Sequence, residues 1–116
     1  FKQDLVQMIT SLCPELSALP KNKKKRAKVL ADIKTKIYLC TPIPAFKQTW
    51  NISDSVIVNN IIPIQQEVAK EYGLQVIDLH TLFANDGDKM LFDGIHPDGN
   101  GVRRMAEIIA EALNVE

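Results

Sequence analysis

Near its C-terminal end the sequence reads FDGIHPDGNG, residues Phe92–Gly101, which sets Asp93 three positions before His96. Histidine is the side chain whose ordinary pKa, about 6.5, suits it to take and return a proton near neutral pH. A carboxylate that holds one ring nitrogen orients the imidazole and stabilises its charged form. A spacing of three residues lets one tight turn bring both side chains together. Gly94 and Pro97 are residues that favour such a turn. The pattern therefore points to general acid–base chemistry, with Asp93 as orienter and His96 as base. The competing reading is a plain Asp-Gly turn leading into a helix through His-Pro. A bare Asp-x-x-His is too short a motif to exclude it.

Other reactive side chains have simpler explanations. Cys40 ends an apolar run and reads as a small buried hydrophobe; as a nucleophile facing His96 it would need a depressed thiol pKa. Asp78, His80, Asp86 and Asp88 join Asp93 and His96 as oxygen and nitrogen donors in the same part of the chain. No pair among them shows zinc spacing, and NDGDK lacks the calcium-loop register, so no metal and no cofactor is expected. His80 reads as a histidine at a strand end or in a loop. The two cysteines, Cys13 and Cys40, have neither metal spacing nor the number for a disulfide framework, although one bridge can be drawn.

The elements that must position Asp93 and His96 can be read from apolar spacing. Leu5, Met8, Ile9 and Leu12 predict an amphipathic helix limited by Pro14. KIYLCTPIP (Lys36–Pro44) and LQVIDLH (Leu74–His80) are continuous apolar runs, as expected of parallel strands covered on both faces. Between them, Ser53–Gly73 reads as a helix capped by Ser53 or Asp54 and ended by Gly73. Pro63 inside it predicts a kink or a late start. Thr81–Gly101 reads as a long loop. Val102–Leu113 is the last helix, with Val102, Met105, Ala106, Ile109 and Leu113 on its apolar face and Asp98 or Asn100 as its cap. Two parallel strands joined by a helix make a right-handed βαβ unit of an α/β layer fold. The site loop then follows a strand at the C-terminal edge of a parallel sheet, where such folds place their sites.

The 116 residues suffice for one unit, 1–116, and the 46% hydrophobic and 24% charged content is that of a globular chain. Net charge is zero. Six of the fourteen basic residues fall within Lys21–Lys28, and the remainder of the chain carries eight basic against fourteen acidic residues. With no aromatic interleaved and no second basic cluster, this run reads as an exposed connection or the start of a helix, and no nucleic-acid partner is expected. No apolar run is long enough to span a membrane, and no membrane partner is expected. The first residue is Phe1, so the N-terminus says nothing of targeting and the compartment is left open.

The block LFDGIHPDGNGVRRMAEIIAEAL resembles the C-terminal block of the SGNH hydrolases, the GDSL-type esterases and lipases. YLCTPIPAF and VIVNNIIPIQQEVAKEYGLQVIDLHTLF look like that family's penultimate strand, helix and last strand, and Phe1–Leu12 like the helix after its Asn-bearing block. The resemblance implies a three-layer αβα, flavodoxin-like fold, present as a C-terminal part with about two parallel strands and three or four helices. It also implies a Ser–His–Asp triad whose Asp and His fall on Asp93 and His96. The family's Gly-Asp-Ser nucleophile block and its Gly and Asn oxyanion blocks have no counterpart here. SDS at Ser53–Ser55 lacks the preceding strand that a nucleophile elbow needs. Asn85–Asp86 follows the last strand and has Ala84 in place of the family's Gly. The implied activity is carboxylic ester hydrolysis, with removal of an acetyl group from a carbohydrate as the expected case. The chain by itself is expected to be inactive. Its expected partners are a small ester substrate and either the N-terminal half of the domain or a second chain paired at the sheet edge. The alternative is a non-catalytic fragment or interaction module working through that edge.

Overall fold

The computed structural model describes residues 1–48, 52–86 and 93–114 of the chain. Phe92 and Asp88, both named above, lie outside the described residues. The elements are α1 (Lys2–Leu12), a 3₁₀ turn (Pro14–Ala18), α2 (Lys23–Asp32), β1 (Tyr38–Cys40), α3 (Asp54–Val56), a π-helical turn (Ile57–Ile61), α4 (Ile62–Tyr72), β2 (Gln75–Ile77), α5 (Leu79–Ala84) and α6 (Gly99–Ala112). The chain is thus mixed α/β. Among the described residues two strands pair in parallel, with Tyr38 opposite Gln75, Leu39 opposite Val76 and Cys40 opposite Ile77.

Alternation along the strands divides the core in two. Leu39 and Val76 turn to one face, where they meet Ile9, Cys13, Leu16, Val68 and Ala69 from α1, the 3₁₀ turn and α4. Tyr38, Cys40 and Ile77 turn to the other, against Leu79 and Phe83 of α5 and Ile108 of α6. The two cysteines therefore sit in different clusters, and both are free thiols. Burial pushes both thiols up from their ordinary pKa, which removes thiolate character from Cys40.

The crossover between the strands shows how the sequence accommodates a proline. Pro63 has no N–H to give to the carbonyl four residues back, and its ring crowds that carbonyl. The helix widens into the π turn Ile57–Ile61 and resumes as α4 at Ile62, with Pro63 in its first turn. Gly73 then ends α4 in the left-handed conformation, φ 67°, with its N–H on the Ala69 carbonyl. A Cβ there would also lie 2.7 Å from Leu30 of α2.

Three expectations need correction. The presumed loop 81–101 begins with a helix, because Asp78 caps α5 by accepting the Thr81 N–H at 3.1 Å. His80 accordingly stands in the first turn of a helix and not at a strand end. In α6 the buried stripe is Gly101, Ile108 and, in part, Met105 and Ile109, while Val102 is 56% exposed and Leu113 is also exposed. In α1 it is Leu5, Val6, Ile9 and then Cys13, leaving Met8 and Leu12 in solvent. Helical spacing offers two overlapping stripes in each helix, and the sheet face against which it packs selects one. The basic run forms most of α2, capped by Asn22, whose side chain accepts the Lys25 N–H; no residue of that helix is buried.

Candidate functional site

Asp93 organises its own turn. Its Oδ1 accepts the backbone N–H of Ile95 at 2.9 Å and of His96 at 2.6 Å. Its Oδ2 meets His96 Nδ1 at 2.5 Å. Gly94 is at φ 84°, a conformation that side chains other than glycine's rarely adopt, and a Cβ there would stand 2.8 Å from the Lys47 side chain. The turn thus depends on the Asp-Gly pair that the sequence places there. Just beyond it, Asp98 accepts the Gly101 N–H at 2.8 Å and starts α6.

The electrostatics follow from these contacts. The His96 N–H, then the His96 ring, hold the Asp93 carboxyl down from 3.8 to about 2, against desolvation, which opposes ionisation. Asp93 is a carboxylate at neutral pH and only accepts hydrogen bonds. Its partner nitrogen, Nδ1 of His96, must therefore carry the proton. In the neutral imidazole the lone pair then belongs to Nε2, the nitrogen further from the backbone. The His96 side chain is 52% exposed and that of Asp93 34%. The arrangement can orient an imidazole, take a proton at Nε2 and stabilise the resulting imidazolium.

The turn is tied to the sheet end. The Gly94 carbonyl accepts the Phe46 N–H at 2.7 Å, from the segment that leaves β1. In that segment Ala45 N–H donates to Asp54 Oδ1 at 3.0 Å. The same oxygen lies 2.8 Å from His80 Nε2. This second Asp–His pair was not foreseen. The sequence offers Asp54, beside Ser53, as a helix cap and His80 as a loop or strand-end residue, and 26 positions separate them. The one available signal was that each lies in a segment that follows a strand of the parallel sheet, His80 directly after β2 and Asp54 at the start of the crossover from β1. Thr41, buried at the end of β1, completes the cluster by accepting the His80 N–H at 2.9 Å and donating to Asp78 Oδ1 at 3.3 Å. Desolvation opposes ionisation of Asp78, but bonds from Thr81 and Thr41 outweigh it, and its pKa is lowered.

The remaining candidates have structural partners. Ser53 Oγ accepts the Val56 N–H and so caps α3, and Ser55 Oγ accepts from Asn59 Nδ2 at 3.2 Å. Asp86 is ion-paired with Arg104 Nε at 2.8 Å and joins the end of α5 to α6. Cys40 gives its carbonyl to Gln65 Nε2 at 3.0 Å. Among the described residues no three His, Cys, Asp or Glu side chains converge to hold a metal ion. Among the same residues no helix is long and apolar enough to cross a membrane.

The molecule is therefore an α/β chain with an Asp–His pair on a turn anchored at the C-terminal edge of a parallel sheet. It is 61% identical, over 114 residues, to an acetylxylan esterase of Xylanibacter ruminicola. The match takes in 97% of this chain and 24% of that protein, so the chain spans about a quarter of the length of its relative. No protein-family model and no solved structure matches the chain.

Proposed function

We propose that this chain is the carboxylate-and-base part, residues 1–116, of a carboxylic ester hydrolase of the SGNH type that removes acetyl groups from a carbohydrate. The observation that carries the reading is the Asp93 turn, which puts an ionised carboxylate on Nδ1 of His96 and leaves Nε2 as the basic nitrogen. The name of the 61% identical relative supports the substrate class.

In the complete domain a serine from outside this chain attacks the acetyl carbonyl. His96 Nε2 takes the serine proton as the new C–O bond forms. The imidazolium, held by Asp93, gives that proton to the leaving sugar oxygen as the ester bond breaks. A water then attacks the acetyl-enzyme, His96 takes its proton, and acetate leaves as the proton returns to serine. Oxyanion donors come from the same missing part. The sheet of two strands among the described residues agrees with a chain that continues a larger one, because a pair of three-residue strands is a marginal sheet by itself. Its outer strand edges are where the rest of the flavodoxin-like sheet would pair.

The test compares the isolated chain with the chain joined to an upstream segment that supplies the nucleophile. With p-nitrophenyl acetate and acetylated xylan as substrates, the joined protein should release acetate and His96→Ala should abolish it. The isolated chain should show no turnover above its own His96→Ala variant. Turnover by the isolated chain that depends on His96 would refute the assignment of the nucleophile to another segment.

A further inference from the structure

We propose that Asp54 and His80 form a positioning pair for Asp93 and His96, acting through the backbone of residues 45 and 46. The inference rests on the reading of Asp93 and His96 as the carboxylate and base of an ester hydrolase. The Asp93 turn fixes the two side chains relative to each other, but its internal bonds do not fix the turn relative to the sheet. That second task falls to a chain of contacts that begins in the core.

Thr41 lies at the end of β1, 2% exposed, with its N–H on the Ile77 carbonyl of β2 at 3.0 Å. Its hydroxyl accepts the His80 N–H and so sets the first turn of α5 against the strand ends. The His80 ring, 16% exposed, reaches Asp54 Oδ1 with Nε2. That oxygen also receives the Ala45 N–H, which holds the segment leaving β1 at residue 45. The adjacent N–H, that of Phe46, donates to the Gly94 carbonyl. Gly94 is the residue between Asp93 and the two N–H groups that Asp93 binds. Lys47, next in the segment, packs its stem against Gly94. The sequence of supports thus runs from the sheet to His80, Asp54, residues 45–47, Gly94 and finally His96.

Asp54 is the joint of this chain, since one oxygen serves both the His80 ring and the Ala45 amide. Asparagine at 54 keeps an acceptor oxygen in the same place; alanine removes it. The chain has only two histidines, so each ring signal can be assigned with a single substitution.

The test uses the ¹⁵N-labelled 116-residue chain and its Asp54→Ala, Asp54→Asn and His80→Ala variants. In Asp54→Ala the Phe46 amide should exchange about 10-fold faster, as for loss of one hydrogen-bonded anchor, and the His96 Nδ1–H signal should broaden. The Leu39 and Ile77 amides should keep their protection. Asp54→Asn should restore both signals. His80→Ala should fall between them, because Asp54 keeps its bond to Ala45. Unchanged Phe46 and His96 signals in Asp54→Ala would overturn the proposal. So would an equal loss of protection at Leu39 and Ile77, which would mark general destabilisation, or a failure of asparagine to rescue. In the longer protein with its nucleophile, Asp54→Ala should lower kcat by about 10- to 100-fold, the effect of a small misplacement, with KM within about twofold. If that protein shows no His96-dependent ester hydrolysis, the catalytic reading fails, while the exchange and ring signals still decide the coupling.

Discussion

The molecule contains two Asp–His pairs made of the same groups and built in opposite ways. Asp93–His96 is local: three residues apart, assembled by one turn, with the imidazole half in solvent. Asp54–His80 is assembled by the fold: 26 residues apart, between two different helices, with the imidazole largely buried. The carboxylates also hold different nitrogens. Asp93 takes Nδ1, near the backbone, and so leaves basicity at the outer nitrogen of His96. Asp54 takes Nε2, the reaching nitrogen of His80, and commits it to a structural tie. On the proposed reading, the nitrogen that the carboxylate occupies separates the pair that moves a proton from the pair that ties the fold.

The largest expected effect separates the two pairs by activity. Asp93→Asn in the nucleophile-bearing protein replaces a pure acceptor by a group that can also donate, and the wrong tautomer of His96 becomes accessible. On the proposed reading a loss of about 10⁴-fold in kcat is expected, as for serine-hydrolase triads whose carboxylate is changed to an amide. Asp54→Asn should cost no more than a few-fold, since its oxygen still accepts. Steady-state kinetics on the two variants would break the comparison if the losses were similar.

Next in size is Gly94→Ala. The residue would adopt φ 84° against its preference and would press its Cβ on the Lys47 stem. A cost of about 1–3 kcal/mol is expected for the strained backbone. It should appear in chemical denaturation, together with a weakened Phe46–Gly94 bond in amide exchange. The Asp54–His80 pair should be untouched, which the His80 ring signal would report.

The contrast also marks how far the sequence could be read. Asp93–His96 was legible because everything that builds it lies within four residues, including the glycine that its turn requires. Asp54–His80 was not, because each residue had a sufficient local role and their meeting depends on how α3 and α5 dock on the sheet. The βαβ order, the Gly73 stop and the disturbance at Pro63 were legible for the same local reasons. Helix α5 was missed because six residues are too few for periodicity to register, although Asp78 three positions before Thr81 is a capping signal. The buried stripes of α1 and α6 were misplaced because Val6 and Cys13, or Gly101 and Ile108, fit helical spacing as well as the residues preferred over them. Partner surfaces decide between such stripes, and those surfaces are tertiary.

The smallest effect concerns acid. Asp93 has its folded pKa lowered, from 3.8 to about 2, chiefly by the His96 N–H and then by the His96 ring. A carboxyl that is more acidic when folded binds fewer protons in the folded than in the unfolded chain at intermediate pH. Its contribution is therefore complete above about pH 3.8 and is lost as pH falls toward about 2, so stability should decline with acid in that window. The group is exposed at the surface, so solvent screens the effect and the decline should be shallow. The sharper measurement is the ¹³C carboxyl shift of Asp93, which should titrate near 2 in the native chain. In a Gly94→Ala chain, where the turn that presents the His96 N–H is disturbed, the midpoint should move back toward 3.8. A native midpoint near 3.8 would mean that the Asp93 carboxylate does not hold the turn, and the local pair would then lose the feature that distinguishes it from the distant one.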